Sequence, residues 1–144
     1  MKRRTFLKGS AIAGATSLVA APAIAQATPE IKWRLTSSFP KSLETIYGTA
    51  QVFSKYVADA TDNKFQIQTF AAGEIVPGLQ ALDAVSTATV EMAQTPLYFY
   101  IGKEPALAYA TGAPFGMNHR HQHSWWTFGG GAELCNEALK PFKA

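Results

Sequence analysis

Two short runs in this chain share a two-residue period, and their spacing constrains the fold more than any other feature. Ile31-Lys32-Trp33-Arg34-Leu35-Thr36 and Phe65-Gln66-Ile67-Gln68-Thr69-Phe70 each alternate apolar and polar side chains as half-buried strands do. Between them the period changes. Pro40 stops the first strand, Ser42 is placed to cap a helix with Glu44 in its first turn, and Leu43, Ile46, Ala50, Phe53, Val57 and Ala60 form one apolar stripe ending near Asp62-Asn63. Strand, helix and strand within about thirty residues is the length of a βαβ unit, whose crossover makes the strands parallel.

The alternation continues. A loop from Ala71 to Gly78 leads to a second, short helix with Leu79, Leu82 and Val85 on one side, and Val90 to Thr95 reads as a third strand. The order β-α-β-α-β predicts an α/β fold with a parallel sheet flanked by helices, and such sheets bind ligands beyond the carboxyl ends of their strands. Three loops leave those ends: Ser37-Ser38-Phe39-Pro40-Lys41, Ala72-Gly73-Glu74-Ile75-Val76-Pro77-Gly78 and Thr95-Pro96-Leu97-Tyr98-Phe99-Tyr100. Hydroxyls, backbone N–H groups near helix starts, one carboxylate and aromatic rings suit holding a small polar organic molecule better than cleaving one. Each loop, taken singly, also reads as a plain connector.

The first 25 residues read as an export signal. MKRRTFLKGS supplies a charged start, the Ala- and Gly-rich stretch to Ala21 is too poor in large side chains to span a bilayer stably, and Ala23-Ile24-Ala25 offers a small-residue cleavage site. Arg3-Arg4 followed by Phe6-Leu7-Lys8 resembles a twin-arginine signal, which implies the twin-arginine export machinery as a partner and the periplasm as destination. Removing Lys2, Arg3, Arg4 and Lys8 leaves nine basic residues against ten acidic ones. The basic pI of the whole chain therefore belongs to the signal, and nothing points to nucleic acid or an anionic membrane surface. Cys135 is the only cysteine, so no internal disulfide can form, and no base near it in sequence would make it a nucleophile.

All three histidines, His119, His121 and His123, fall within "FGMNHRHQHSWWTFGGG". On a helix His119 and His123 would share a face and could hold Zn²⁺, which makes a small metal-dependent periplasmic enzyme the competing reading. The intervening residues do not give the His-Glu-x-x-His arrangement, and no carboxylate is adjacent as base or third ligand. The blander reading is a solvated helix start capped by Asn118 or His119, with Trp125, Trp126 and Phe128 turned toward the core. Gly129 to Gly131 read as a tight turn or close helix packing, since no Lys-Ser/Thr pair follows to complete a phosphate loop.

The run "AAGEIVPGLQALDAVSTATVEMAQTPLYFYIGKEPALAYATGAPFGM", with "WWTFGGGAEL" after it, resembles the solute receptors (DctP type) of tripartite ATP-independent periplasmic (TRAP) transporters. Within them it looks nearest to members that bind 2-oxo acids. The likeness covers Ile31 to about Leu139 and rests jointly on Gly73-Glu74-Ile75-Val76-Pro77, Leu82-Asp83-Ala84-Val85, Ala113-Pro114-Phe115-Gly116, and Trp126 with the three glycines.

The resemblance implies a class II periplasmic binding protein fold of two lobes that closes on its ligand and hands it to a TRAP membrane permease. It implies no enzymatic activity and places residues 26–144 in the N-terminal part of that two-lobed domain. It makes Ser38, Phe39, Glu74, Tyr98 and Tyr100 the expected contacts of a small carboxylate, with Asp83 structural. It implies no cofactor, apart from a Na⁺ or Ca²⁺ that could bridge the ligand in a full-length form. Family members run about two hundred residues further and carry there the arginine that pairs with the ligand's carboxylate. Neither Arg34 nor Arg120 stands at that motif position. The expectation is a truncated first lobe that folds marginally by itself and binds weakly or not at all, because helix faces and a sheet edge stay uncovered.

Overall fold

A computed structural model describes residues 30–144. The export signal expected over residues 1–25 lies outside the described residues. In chain order the elements are β1 (Ile31–Ser37), α1 (Glu44–Ala60), β2 (Phe65–Phe70), α2 (Ala81–Ser86), β3 (Met92–Gln94), α3 (His119–Phe128) and α4 (Gly131–Leu139). Short 3-10 turns at Gly78–Gln80, Leu97–Tyr100, Pro105–Ala108 and Lys140–Phe142 fill the connections. The three strands form one sheet in the order β2-β1-β3, with both pairings parallel, as the alternation predicts.

Ile31 pairs with Phe65 and Thr36 with Phe70 on one side of β1, and Leu35 to Ser37 pair with Met92 to Gln94 on the other. β3 is shorter than the expected Val90 to Thr95, for a reason visible in the ladder. The Arg34 backbone N–H does not reach a β3 carbonyl; it donates to Glu91 Oε2 at 2.8 Å. A side chain thus takes the next rung, and regular pairing starts at Met92. Val90, though buried, sends its N–H back to the Ala84 carbonyl at 3.3 Å.

α1 starts one residue later than its expected cap allows. Leu43 occupies the capping position and gives no side-chain hydrogen bond, so Ser42 does not cap this helix. The far end agrees with the expectation. Asp62 and Asn63 take left-handed φ of 50° and 60°, a conformation Asn and Asp tolerate, and the Asn63 N–H returns to the Ala58 carbonyl at 2.8 Å. Of the expected stripe, Ala50 packs into a core with Leu35 and Ile67, joined by Val57, Phe65 and Met92. Leu43, Ile46, Phe53 and Ala60 remain exposed, because a three-stranded sheet covers only a narrow sector of the helix, and the second buried position is Tyr47.

A second core gathers Leu82, Tyr100 and Leu107, with Leu97, Phe99, Ala138, Leu139 and Phe142 packed around them. Leu79, expected beside Leu82, lies in the 3-10 turn before α2 and is exposed. Asn118 caps α3, its side chain accepting from the backbone of Arg120 at 3.1 Å and His121 at 3.0 Å. Gly130 adopts φ 79°, and a Cβ on Gly131 would lie 2.6 Å from the Trp125 ring, so the glycines serve both a turn and close packing. Only Trp125 is half-buried there. Trp126 lies at the surface and Phe128 is 85 % exposed, against the expectation that both turn inward. Ala138 and Leu139 of α4 pack on the second core. Among the described residues no helix is long and apolar enough to cross a membrane.

Candidate functional site

The three loops leaving the carboxyl ends of β1, β2 and β3 are joined to one another. The Ala72 N–H donates to the Phe39 carbonyl at 3.0 Å, which ties the second loop to the first. Ser38 N–H donates to the Gln94 carbonyl at 2.9 Å, extending β1–β3 pairing into the first loop. Ser37 Oγ donates to Gln94 Oε1 at 2.7 Å and accepts from the Phe39 N–H at 3.1 Å, and Gln94 Nε2 donates to the Ile46 carbonyl at 2.8 Å. Gly78 passes so near Ser38 that a Cβ there would lie 2.7 Å from the Ser38 carbonyl oxygen.

A row of hydroxyls crosses the same region. Ser38 Oγ lies 2.6 Å from the Gly78 carbonyl oxygen and 2.7 Å from Thr95 Oγ1. Thr95 Oγ1 lies 2.8 Å from the Tyr100 hydroxyl, which accepts the Leu82 N–H at 3.2 Å. Ser38 Oγ is the donor to both the Gly78 carbonyl and Thr95 Oγ1, and between Thr95 and Tyr100 either hydroxyl can donate. Tyr100, 2 % exposed, thus has its hydroxyl engaged inside the fold, where it satisfies an N–H of the first turn of α2.

Of the other expected contacts, Tyr98 is 46 % exposed and Phe39 half-buried. Phe99 lies between them, edge-on to Tyr98 with centroids 4.9 Å apart and tilted to Phe39 at 6.4 Å. Phe39, Phe99 and Tyr98 form an aromatic surface of the kind that covers a small carbon skeleton. Glu74 is held by Lys41 Nζ at 2.5 Å and by the Ala71 N–H at 2.7 Å. The Lys41 bond, then that of Ala71, keeps its carboxyl below the usual range, and the same pair raises the Lys41 ammonium. Asp83 pairs with Lys103 at 2.6 Å. Arg34 makes a bidentate pair with Glu91 at 2.9 and 3.2 Å, and Glu91 is pulled down to about 2, chiefly by that contact.

Reasoning from the sequence missed Ser37, Gln94 and Thr95. A signal for them existed in the register. Arg34–Glu91, Ser37–Gln94 and Ser38–Thr95 are all separated by 57 residues, the constant offset of two parallel strands. Once β1 and β3 are paired, the polar partners follow.

The histidine segment lies elsewhere. His119, His121 and His123 are all exposed on α3, and among the described residues no group of three or more His, Cys, Asp or Glu side chains is arranged to hold a metal. An apolar cavity of about 530 Å³ lies between α3, α4 and the preceding loop, lined in part by Tyr109, Met117, Trp125 and Cys135, and shares no residue with the three loops. Burial raises the Cys135 thiol above its ordinary value.

Comparison with known proteins agrees with the parallel-sheet fold. Residues 36–144 match the family described as bacterial extracellular solute-binding protein, family 7. A curated monocarboxylate 2-oxoacid-binding periplasmic protein of Nostoc sp. strain PCC 7120 is 48 % identical over 148 aligned positions, covering 99 % of this chain and 40 % of that protein. Among solved structures, a TRAP transporter solute-binding protein of Bordetella bronchiseptica RB50, with copurified calcium and picolinate, is 45 % identical with a TM-score of 0.77. It is matched over 79 % of this chain and 34 % of its own. A TRAP periplasmic solute-binding protein of Pseudoalteromonas atlantica T6c, with sodium and pyruvate, is 26 % identical with a TM-score of 0.74, over 78 % of this chain and 34 % of its own. The chain thus spans well under half the length of these relatives, in a family of solute-binding proteins rather than enzymes. With its parallel sheet and the match from Thr36 to the last residue, the chain belongs to the bacterial extracellular solute-binding proteins of family 7.

Proposed function

We propose that this chain forms part of one lobe of a periplasmic solute-binding subunit of a TRAP transporter, which captures small carboxylates of the 2-oxo acid kind and delivers them to membrane permease subunits. The observation that carries this reading is the convergence of three loops at the carboxyl edge of a parallel sheet, with an aromatic surface beside them. The likeness to a 2-oxoacid-binding protein and to a pyruvate-bound one supports the ligand class. Within the proposed site Phe39 and Tyr98 face the carbon skeleton. Ser38, Glu74 and Tyr100 hold the loops that present them.

Among the described residues no group of three or more His, Cys, Asp or Glu side chains is arranged to hold a metal ion, and Glu74 is paired with Lys41 and the Ala71 N–H. Export by the twin-arginine route, on the strength of Arg3-Arg4, belongs to the same proposal.

A chimera tests the binding role. Residues 30–144 replace the matching part of the Bordetella bronchiseptica relative, and pyruvate and picolinate are titrated by calorimetry. Retained binding supports the reading; a folded chimera that binds neither acid refutes it. Changing Arg3 and Arg4 together to Lys should abolish periplasmic accumulation, and undiminished export would refute the route.

A further inference from the structure

We infer that Thr95 is a positioning residue: its hydroxyl is the middle link of a row of hydrogen bonds that couples the first loop, the third loop and the start of α2 into one mechanical unit. Ser38 Oγ donates to the Gly78 carbonyl and to Thr95 Oγ1, Thr95 Oγ1 also bonds the Tyr100 hydroxyl, and that hydroxyl accepts the Leu82 N–H. Loss of the middle leaves the Ser38 and Tyr100 hydroxyls each short of a partner, and both sit at least partly out of water, where an unmade bond is costly.

Thr95 also makes a side-chain link between two loops that present the aromatic surface, beside the Phe39–Phe99 ring contact and the Ser38 N–H bond to the Gln94 carbonyl. Ser38 directly precedes Phe39, and Thr95 opens the segment carrying Tyr98 and Phe99. The Ser38–Thr95 contact therefore bears directly on the relative placement of Phe39 and Tyr98. The consequence for ligand affinity rests on the carboxylate-binding reading above; the coupling itself does not.

The test uses the full chain, with Thr95→Val to remove the hydroxyl at nearly constant volume and Thr95→Ser to restore it. Amide hydrogen exchange is read by NMR at Leu82, which bonds Tyr100, and at Ala72, which bonds the Phe39 carbonyl. Loss of one buried hydrogen bond should speed exchange at both sites by roughly tenfold in Thr95→Val and by less than about twofold in Thr95→Ser. Asn63, at the far end of α1, should not change. The proposal is overturned if Leu82 and Ala72 keep their wild-type rates in Thr95→Val, if Thr95→Ser behaves like Thr95→Val, or if Asn63 accelerates equally, which would mean general destabilisation. Pyruvate is then titrated against the chimera carrying each Thr95 variant. Binding about tenfold weaker in Thr95→Val than in Thr95→Ser extends the coupling to the ligand, and equal affinities overturn that extension. An unsubstituted, folded chimera that takes no pyruvate counts against the ligand reading alone, since the exchange rates decide the coupling by themselves.

Discussion

Replacing Gly78 and Gly48 by alanine should move stability in opposite directions, and the structure gives the size of each effect. A Cβ on Gly78 would lie 2.7 Å from the Ser38 carbonyl oxygen and 3.3 Å from its carbon, well inside the ~3.5 Å at which non-bonded atoms begin to attract. Both partners are backbone, so no side chain can swing aside. Crowding of this kind costs about 1–3 kcal/mol, and pushing the two segments apart also strains the Ser38–Gly78 hydrogen bond, worth about 1 kcal/mol. The smaller entropy of an unfolded alanine returns about 0.4–1 kcal/mol. The net loss is about 1–3 kcal/mol, a fall in melting temperature of roughly 5–15 °C for a domain of this size. Gly48 lies within α1 with nothing inside 4 Å of its would-be Cβ, and alanine there should gain about 0.5–1 kcal/mol. Thermal melts followed by circular dichroism, with urea titrations for the free energies, measure both. A Gly78→Ala variant that melts at or above wild type would refute the close approach on which the loop geometry depends.

Other substitutions probe other parts. Thr36 is fully buried and its hydroxyl has no partner among the described residues, so Thr36→Val should raise stability by about 1 kcal/mol in urea denaturation. Leu107→Ala, at the centre of the second core, should cost about 2–5 kcal/mol by the same measurement. Glu91, pulled down to about 2 by Arg34, contributes stability that is complete above the ordinary carboxylate range and is lost as pH falls through about 2. The advantage of wild type over Glu91→Gln should therefore shrink on acidification from about pH 5 toward about pH 2 and stay flat above it. Asn118→Ala should cost about 1 kcal/mol and speed amide exchange first at Arg120 and His121.

The βαβ frame was legible because its period is local. Alternation in Ile31 to Thr36 and Phe65 to Phe70 places both strands where they are found, but burial along β1 does not alternate. Ile31 and Trp33 are exposed and Thr36 is fully buried, since the strand's first half lies uncovered and its second half is enclosed. What failed depends on how much partner surface each element meets. Leu43, Ile46 and Phe53 keep the helical period yet remain exposed, and Phe128 extends away from the core, because periodicity states which face is apolar and not whether anything covers it. Val90 to Thr95 has strand composition along its whole length, but the Glu91 side chain takes one rung and Pro96 follows, leaving three paired residues. In the candidate site, the loops could be named from the sequence and their wiring could not. Ser38, Thr95 and Tyr100 meet across 57 and 5 positions, and whether a hydroxyl faces a guest or a neighbour is settled only by three-dimensional distance.

The Ser38 hydroxyl also limits what this wall can say to a guest. Its single proton lies between the Gly78 carbonyl and Thr95 Oγ1, so Ser38 turns lone pairs outward and keeps no hydrogen to offer. An anion resting against Ser38 finds no donor there, so its negative end must turn toward other N–H or O–H groups. The same lone pairs would welcome a guest's own hydroxyl or a water molecule. Ser38 thus acts as an orienting filter: it bears on which end of a small acid points inward, while the grip on the charge comes from elsewhere.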